Sequence, residues 1–193
     1  MRAACGAHLR SVVRVANDGI QILIEEHIVI TRVLVALRKA VSAQKAGKTV
    51  PAAFYADAGD FASAFADKCH HAKEEKIFFP LVVAQMPQEK GEVERFLAEH
   101  VQGRGFVRQM RETAAKGDSA ACARFAEQYF TLLTQHIGKE NILFRKSQQA
   151  FPEGRKEELF EAFEKVEKDE IGEGVDEKYR SLADELGKKA DSF

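Results

Sequence analysis

The chain has 193 residues, of which 45% are hydrophobic and 31% are charged. This length and composition predict one globular domain, or one domain with a small appendage, with enough apolar residues to form a core. Lysine and arginine total 29 against 30 acidic residues, so the formal net charge is -1. Without excess positive charge, the chain is not expected to bind nucleic acid or an anionic membrane.

The cysteines give no sign of an oxidising environment. Cys5, Cys69 and Cys122 lie far apart and form no CxxC pair, so neither a disulfide framework nor a zinc ribbon is predicted. Residues 1–16 contain only a weak apolar patch interrupted by two arginines, and no apolar run long enough to cross a membrane follows. We therefore expect a cytoplasmic protein without a signal peptide.

Four long stretches of the chain carry an apolar residue every three or four positions, a period that predicts α-helices. Asn17-Asp18 predicts the cap of the first helix, and Gly117-Asp118 predicts the end of the third helix and the cap of the fourth. Pro51 is suited to the first turn of the second helix. The expected boundaries are 18 to 47, 50 to between 80 and 87, 88 to 117, and 118 to 151.

Four such helices joined by short turns predict an all-α fold, an antiparallel up-down-up-down four-helix bundle with extra C-terminal helices. We divide the chain into an N-terminal extension at 1–17, the bundle at 18–150 and a C-terminal segment at 151–193. The last segment combines a highly charged helix with a shorter one. It is expected to pack as a cap on the bundle, and a dimer or partner surface is the alternative.

An internal repeat places the histidines. Residues 70–78, HHAKEEKIF, align with residues 136–144, HIGKENILF, at an offset of 66 residues. The shorter segments Glu26-His27-Ile28 and Glu99-His100-Val101 align at an offset of 73 residues. The bundle is therefore predicted to contain two copies of one two-helix unit, each with one lone histidine and one HxxxE pair.

The spacing within each copy predicts a metal site. Residues four apart on an α-helix lie about 40° apart, so the histidine and glutamate of each HxxxE pair point the same way. The lone histidines lie on the apolar faces of their helices. Buried carboxylates without a counter-charge each lose hydration worth several kcal/mol, and a metal removes that penalty. The predicted ligands are His27, His70, Glu74, His100, His136 and Glu140.

The two-copy symmetry predicts two ions, each bound by two histidines and bridged by the glutamates. Nitrogen and oxygen ligands without cysteine favour iron over a structural zinc, with manganese or zinc as possible substitutes. His71 points about 100° away from His70 on an α-helix, so it is expected to support a ligand or face solvent rather than bind metal.

Four other residues near these motifs have expected roles. Glu26 and Glu99 precede predicted ligands, and are expected either to accept hydrogen bonds from histidines or to form charged pairs at the bundle edge. Arg104 is expected to form a salt bridge to Glu26 or Glu99. Cys69 is expected to be a small buried residue rather than a ligand.

These motifs resemble the hemerythrin-like HHE cation-binding domains. LIEEHIVITRVL, HHAKEEKIFFPLV, EHVQGRGFVRQM and HIGKENILF resemble the first to fourth helix motifs of that family, in the same order. The resemblance covers about residues 18–150. It implies that the same six residues bind a non-haem di-iron centre with an oxo or hydroxo bridge.

The chain departs from the oxygen-carrying members of that family at two positions. They have a further histidine on the third helix and an aspartate on the last, where this chain has Arg104 and Glu140. The resemblance therefore implies an open coordination position on both irons, as in the di-iron proteins linked to repair of iron-sulfur clusters. Those repair proteins usually carry an N-terminal cysteine-bearing domain, and this chain has only Cys5 in that region.

We therefore expect a di-iron protein that binds iron and reacts with or senses dioxygen, another small diatomic or peroxide. The first alternative is a redox enzyme that removes peroxide or nitric oxide, or repairs iron-sulfur clusters under oxidative stress. The second is a metal-free interaction bundle. The expected partners include no nucleic acid and no membrane, and a homodimer is a possible assembly.

Overall fold

The computed structural model describes residues 18–168, 172 and 175–193. Across these residues every regular element is a helix and no β-strand occurs, as predicted for an all-α fold. The N-terminal extension, with Cys5, lies outside the described residues. None of the helices in the described part of the chain is long and apolar enough to span a membrane.

The first helix, α1, runs over Gly19–Lys45 and begins where its cap was predicted. The Asp18 side chain accepts a hydrogen bond from the backbone N–H of Ile20 at 2.8 Å. Such a cap satisfies one of the amides that the first helical turn leaves unpaired. The chain turns away from the helix at Gly47, which has a φ of 85° that favours glycine.

The second helical stretch runs from residue 52 to residue 85 and is not a regular α-helix. It consists of α2 (Ala52–Phe61), the π-helical segments π1 (Ala62–His71) and π2 (Glu74–Phe78), and α3 (Phe79–Gln85). In a π-helix each N–H bonds five residues back, so one turn holds more residues than an α-turn. Side-chain directions here therefore differ from those of the α-helical spacing used for the prediction.

The remaining helices follow the predicted order. A short 3₁₀-helix at Pro87–Glu89 leads into α4 (Lys90–Ala115). After α4 the chain turns at Gly117, which has a φ of 72°. The Asp118 side chain then accepts a hydrogen bond from the N–H of Ala121 at 2.9 Å. This cap starts α5 (Ser119–Ala150), which is followed by α6 (Glu153–Val166) and α7 (Val175–Asp191).

The helices pack around a shared interior. Helix α5 contacts both α1 and α4, α2 contacts α4, and α6 and α7 both contact α1. Leu159 and Phe163 of α6, and Tyr179 and Leu186 of α7, are buried. The C-terminal helices therefore contribute apolar side chains to the core.

The apolar core is divided into two clusters, and the change from one to the other occurs next to the predicted metal ligands. In α1, Leu23 belongs to one cluster and Ile30 to the other, and His27 lies between them. His100 of α4 lies at the same kind of boundary, and in α5 the change falls between Ile137 and Leu143, where Glu140 lies. A layer of polar residues therefore crosses the interior between two apolar clusters.

Helix α6 packs closely against α1 at Gly19. A Cβ atom at this position would lie 2.6 Å from the Leu159 Cβ and 2.8 Å from the backbone nitrogen of Phe160. We expect Gly19→Ala to lower the free energy of unfolding by about 1–3 kcal/mol, because α6 must move to accommodate the methyl group.

Urea unfolding of the metal-free protein measures this effect, and Gly91→Ala is its control. Gly91 lies in the first turn of α4, where an added Cβ atom would meet no neighbouring segment within 4 Å. That substitution is expected to change stability by no more than about 0.5 kcal/mol. Equal effects of the two substitutions would contradict a close contact at Gly19.

Candidate metal centre

The structure brings the six predicted ligands together in the polar layer. All six are buried, and none is more than 3% exposed. They come from α1, the π-helical segments, α4 and α5. Their side chains form two groups that share the carboxylates between them.

The first group consists of His27, His70, Glu74 and Glu140. One ligand atom from each of the four lies within 4.8 Å of the others. His27 Nε2 is 3.3 Å from a Glu140 oxygen, and His70 Nε2 is 3.3 Å from a Glu74 oxygen. Two imidazoles and two carboxylates are a suitable ligand set for one cation.

The second group is built around His100 and His136, whose Nε2 atoms lie 2.9 Å apart. His100 Nε2 is also 3.5 Å from a Glu74 oxygen and 3.6 Å from a Glu140 oxygen. The two carboxylates therefore contact histidines of both groups. This geometry suits a pair of cations with the glutamates between them.

The buried polar atoms at the centre of the layer contact one another, but most of them do so without forming a hydrogen bond. Within the described residues, His70 Nε2 and all four carboxylate oxygens of Glu74 and Glu140 form no hydrogen bond, although His136 Nε2 lies 2.9 Å from one Glu140 oxygen. Buried polar atoms without partners are rare and costly in folded proteins. Metal coordination would satisfy all five atoms, so the residues fit a metal centre.

Hydrogen bonds around the layer hold the HxxxE histidines in the same way in both copies. His70 Nδ1 donates to Glu26 at 2.9 Å, and Lys73 also donates to this carboxylate. In the other copy, His136 Nδ1 donates to Glu99 at 2.8 Å, and Lys139 donates to that carboxylate. Both glutamates therefore accept hydrogen bonds from histidines, as one expectation had it. Only the Glu99–Lys139 pair lies at the bundle edge, because Glu26 and Lys73 are buried.

The lone histidine of each copy contacts a side-chain oxygen of another residue in the repeat. His27 Nδ1 lies 3.0 Å from the Asn141 side-chain oxygen, and His100 Nδ1 lies 2.7 Å from a Glu75 oxygen. Asn141 and Glu75 occupy equivalent positions in the two copies of the motif. With Nδ1 engaged in all four histidines, Nε2 is the nitrogen that faces the centre.

Arg104 has other partners than those predicted. Its guanidinium donates to Asp67 at 2.7 Å and to Glu75 at 2.6 Å, so the predicted pairing with Glu26 or Glu99 is wrong. The two carboxylates that it contacts lie on the second helical stretch, which packs beside α4. The sequence spacing contains no information about which neighbouring helix this face of α4 contacts.

His71 is buried rather than exposed, being only 4% accessible to solvent. Its ring stacks on that of His100, with centroids 3.8 Å apart and planes 14° apart. Burial excludes the solvent-facing alternative, and the stack on His100 favours the other expectation, that His71 supports a ligand. The sequence does contain one indication that residue 71 is buried, because the internal repeat aligns His71 with an apolar residue, Ile137.

The charges of the metal-free centre favour protonated imidazoles. Burial lowers the pKa of His70, but Glu74 and Glu26 raise it by more, to about 10. Burial likewise lowers the pKa of His100, and contacts with Glu140 and Glu75 raise it to about 9. Both histidines therefore carry a proton at neutral pH when no cation is bound.

Cation binding must displace these protons, so we expect it to release about two protons per chain near pH 7. Below both pKa values, competition by one proton at each cation position lowers the apparent affinity of each binding step about tenfold for every unit by which the pH falls. Titration calorimetry in buffers of different ionisation enthalpy measures the release. An affinity that stays constant between about pH 6 and 8 would contradict the expectation.

A family model for the hemerythrin HHE cation-binding domain matches residues 18–147, well over half of the chain. Comparison with curated proteins gives no match, and comparison with solved structures gives none. The matched residues include every member of the two ligand groups described above and the helices that carry them. The chain belongs to the family of hemerythrin HHE cation-binding domains.

Proposed function

We propose that this protein binds a pair of iron ions in its polar layer and there binds, senses or reacts with dioxygen or another small oxidant. One observation carries the proposal. Four buried carboxylate oxygens of Glu74 and Glu140, which form no hydrogen bond within the described residues, lie between two groups of histidine nitrogens. Nitrogen and carboxylate ligands without thiolate favour iron among the common metals.

The chain's own residues have distinct roles in this proposal. His27 and His70 would hold one ion, His100 and His136 would hold the other, and Glu74 and Glu140 would serve both. When bound, a pair of iron ions supplies the capacity to exchange electrons with a small oxidant. The outer carboxylates and Asn141 keep each Nδ1 engaged, which leaves Nε2 free of a proton once the ion is bound.

Aromatic side chains enclose the layer and keep bulk water from it. Phe144 stacks on His27 at 5.0 Å, Phe79 on His100 at 5.9 Å, and Phe96 meets His136 edge-on at 5.4 Å. Exclusion of water strengthens electrostatic interactions within the layer. It also favours a small uncharged oxidant over a large polar substrate.

A groove beside the first ligand group also favours a small ligand. It has a volume of about 760 Å³ and lies between α1, α5 and α7. Its wall includes apolar side chains such as Ile24, Ile28 and Val35, and it reaches His27 and Asn141. A small apolar molecule can therefore approach the first ligand group from this side.

The packing of the helices supports the proposed bundle arrangement. From α1 to α5, the order in which the chain crosses the two apolar clusters alternates from one helical stretch to the next, which supports the antiparallel up-down-up-down arrangement.

Cys69 and Cys122 are free and buried, which supports a cytoplasmic location.

Anaerobic loading with ferrous iron tests the proposal. We expect about two irons per chain by metal analysis, because the two ligand groups each suit one cation. The optical spectrum is expected to change when dioxygen or peroxide is added. An iron content near zero after loading would contradict the metal centre, and an unchanged spectrum would contradict the reaction with oxidants.

A further inference from the structure

The groove between α1, α5 and α7 has an apolar wall in contact with solvent. Its volume of about 760 Å³ falls within the range typical of small-molecule sites, about 300–1,000 Å³. On α1, Ile28 is 53% exposed, and Ile24 and Val35 of the same wall are half-buried. Because covering apolar surface removes it from water, this wall favours a ligand with an apolar body.

The acidic side chains of the groove already have partners. Asp184 lies 3.2 Å from the Arg32 guanidinium, and Asp191 accepts a hydrogen bond from Lys39. Both pairs join α7 to α1 along the groove. Neither carboxylate is therefore left to attract a cationic ligand.

Two cationic side chains of the groove have no such partner. Arg145 of α5 and Lys188 of α7 are exposed and form no ion pair or hydrogen bond within the described residues. Arg145 follows Asn141 by one helical turn, so both side chains point the same way. The Asn141 oxygen lies beside His27 Nδ1, which leaves the Asn141 amide N–H groups as donors. An arginine and an amide placed in this way can both donate hydrogen bonds to a carboxylate.

We propose that this groove binds a long-chain aliphatic carboxylate, with its carboxylate at Arg145 and Asn141 and its chain along α1. Residues 24 to 35 of α1 span about 16 Å at a rise of about 1.5 Å per residue, which suits an extended chain such as that of dodecanoate. The unpaired positive charges match the anionic group, and the apolar wall matches the chain. This inference is independent of the proposed metal centre, because the contacts that it requires involve none of the predicted metal ligands.

Gly187→Leu fills the groove and tests the inference. Gly187 of α7 lines the groove, and a Cβ atom added there would meet no neighbour within 4 Å. Leucine favours a helix more than glycine does, so this variant is expected to be at least as stable as the wild type. The wild-type metal-free chain is expected to bind dodecanoate, added below its critical micelle concentration, in calorimetric titration. Gly187→Leu is expected to weaken this binding at least about tenfold, because the leucine occupies the space of the chain.

Gly105→Leu is the matched control for this variant. Gly105 is also half-buried and also has no neighbour within 4 Å of an added Cβ atom, but it lies on α4, which does not line the groove. This substitution is expected to leave dodecanoate binding unchanged.

A second comparison tests the charge of the ligand. Arg145→Gln is expected to weaken dodecanoate binding about three- to tenfold. Lys146→Gln removes the same charge from a neighbouring residue that donates to Glu89 and does not line the groove, so it is expected to change binding less than about twofold. Dodecyltrimethylammonium, which has the same chain with a cationic head, is expected to bind the wild type about tenfold more weakly than dodecanoate.

Each contrary result would overturn the inference. No binding of dodecanoate, or equal binding by Gly187→Leu and the wild type, would show that the groove is not the site. Equal binding of the two ions would show that the groove recognises only the apolar chain. If sedimentation velocity showed a dimer that Gly187→Leu dissociates, a second copy of the chain would occupy the groove instead. If Gly187→Leu did not fold by circular dichroism, the comparison of Arg145→Gln with Lys146→Gln would decide.

Discussion

Glu74→Ala and Glu140→Ala are each expected to remove most of the bound iron. Each carboxylate contacts histidines of both ligand groups, so the loss of one affects both cation positions. The affinity is expected to fall by more than the roughly 10–100-fold that follows loss of an outer hydrogen-bond partner. Metal analysis after anaerobic loading and desalting measures the remaining iron.

Two control variants make this result specific. Asn141→Ala removes only the side-chain oxygen beside His27 Nδ1, so it is expected to weaken binding by about 10–100-fold without abolishing it. Glu94→Ala removes an exposed carboxylate of α4 that contacts Lys90, and no change in iron content is expected. If Glu74→Ala still held one iron tightly, that carboxylate would serve one cation position only.

Lys73→Met is expected to lower the free energy of unfolding of the metal-free protein by about 3–5 kcal/mol. Lys73 is fully buried and donates to Glu26, which is 1% exposed, and to Glu167. The methionine keeps most of the side-chain volume but leaves the buried Glu26 carboxylate without the lysine that donates to it. Urea unfolding measures the difference.

The internal repeat provides the matched control for this variant. Lys139 occupies the same position in the second copy and donates to Glu99, but Lys139 is 40% exposed and Glu99 21% exposed. Lys139→Met is expected to cost no more than about 1 kcal/mol, because exposed ion pairs contribute little. Adding Glu26→Gln to Lys73→Met should recover part of the loss. Equal costs for the two lysine substitutions would show that burial does not determine the effect.

The buried pair of Lys73 and Glu26 also predicts how the free energy of unfolding depends on pH. Burial raises the pKa of Glu26, but Lys73 and His70 lower it by more, to about 2. Because the folded-state pKa lies below the ordinary value of 4.5, this stabilisation is fully present above about pH 4.5 and is lost as the pH falls towards 2. The loss over this range should be smaller in Lys73→Met.

Local spacing explains why so much of the centre could be predicted. An HxxxE pair is contained within one helix, and a histidine between apolar residues of a helical stripe must face the interior. Such relations depend only on residues within the same helix. The cap at Asp18, the end at Gly117 and the burial of Cys69 follow from equally local patterns, and the structure confirms all three.

The contacts of Arg104 and His71 could not be predicted in the same way. Those contacts depend on how α4 packs beside the second helical stretch and on the π-helical turns of π1, neither of which a single-helix period contains. The α-helical angle of about 100° per residue describes a regular α-helix, which the second helical stretch is not.

The helical class, the helix caps, the repeat and the residues able to bind metal all follow from the sequence alone, because these depend on short-range spacing. The differences between equivalent positions come from tertiary packing. Lys73 and Lys139 are equivalent in the repeat, yet Glu167, beyond the end of α6, contacts only the first of them. Similarly, His71 stacks on His100, whereas its counterpart Ile137 belongs to the apolar core. Burial depends on which distant segment covers a side chain, and a repeated local pattern contains no information about that segment.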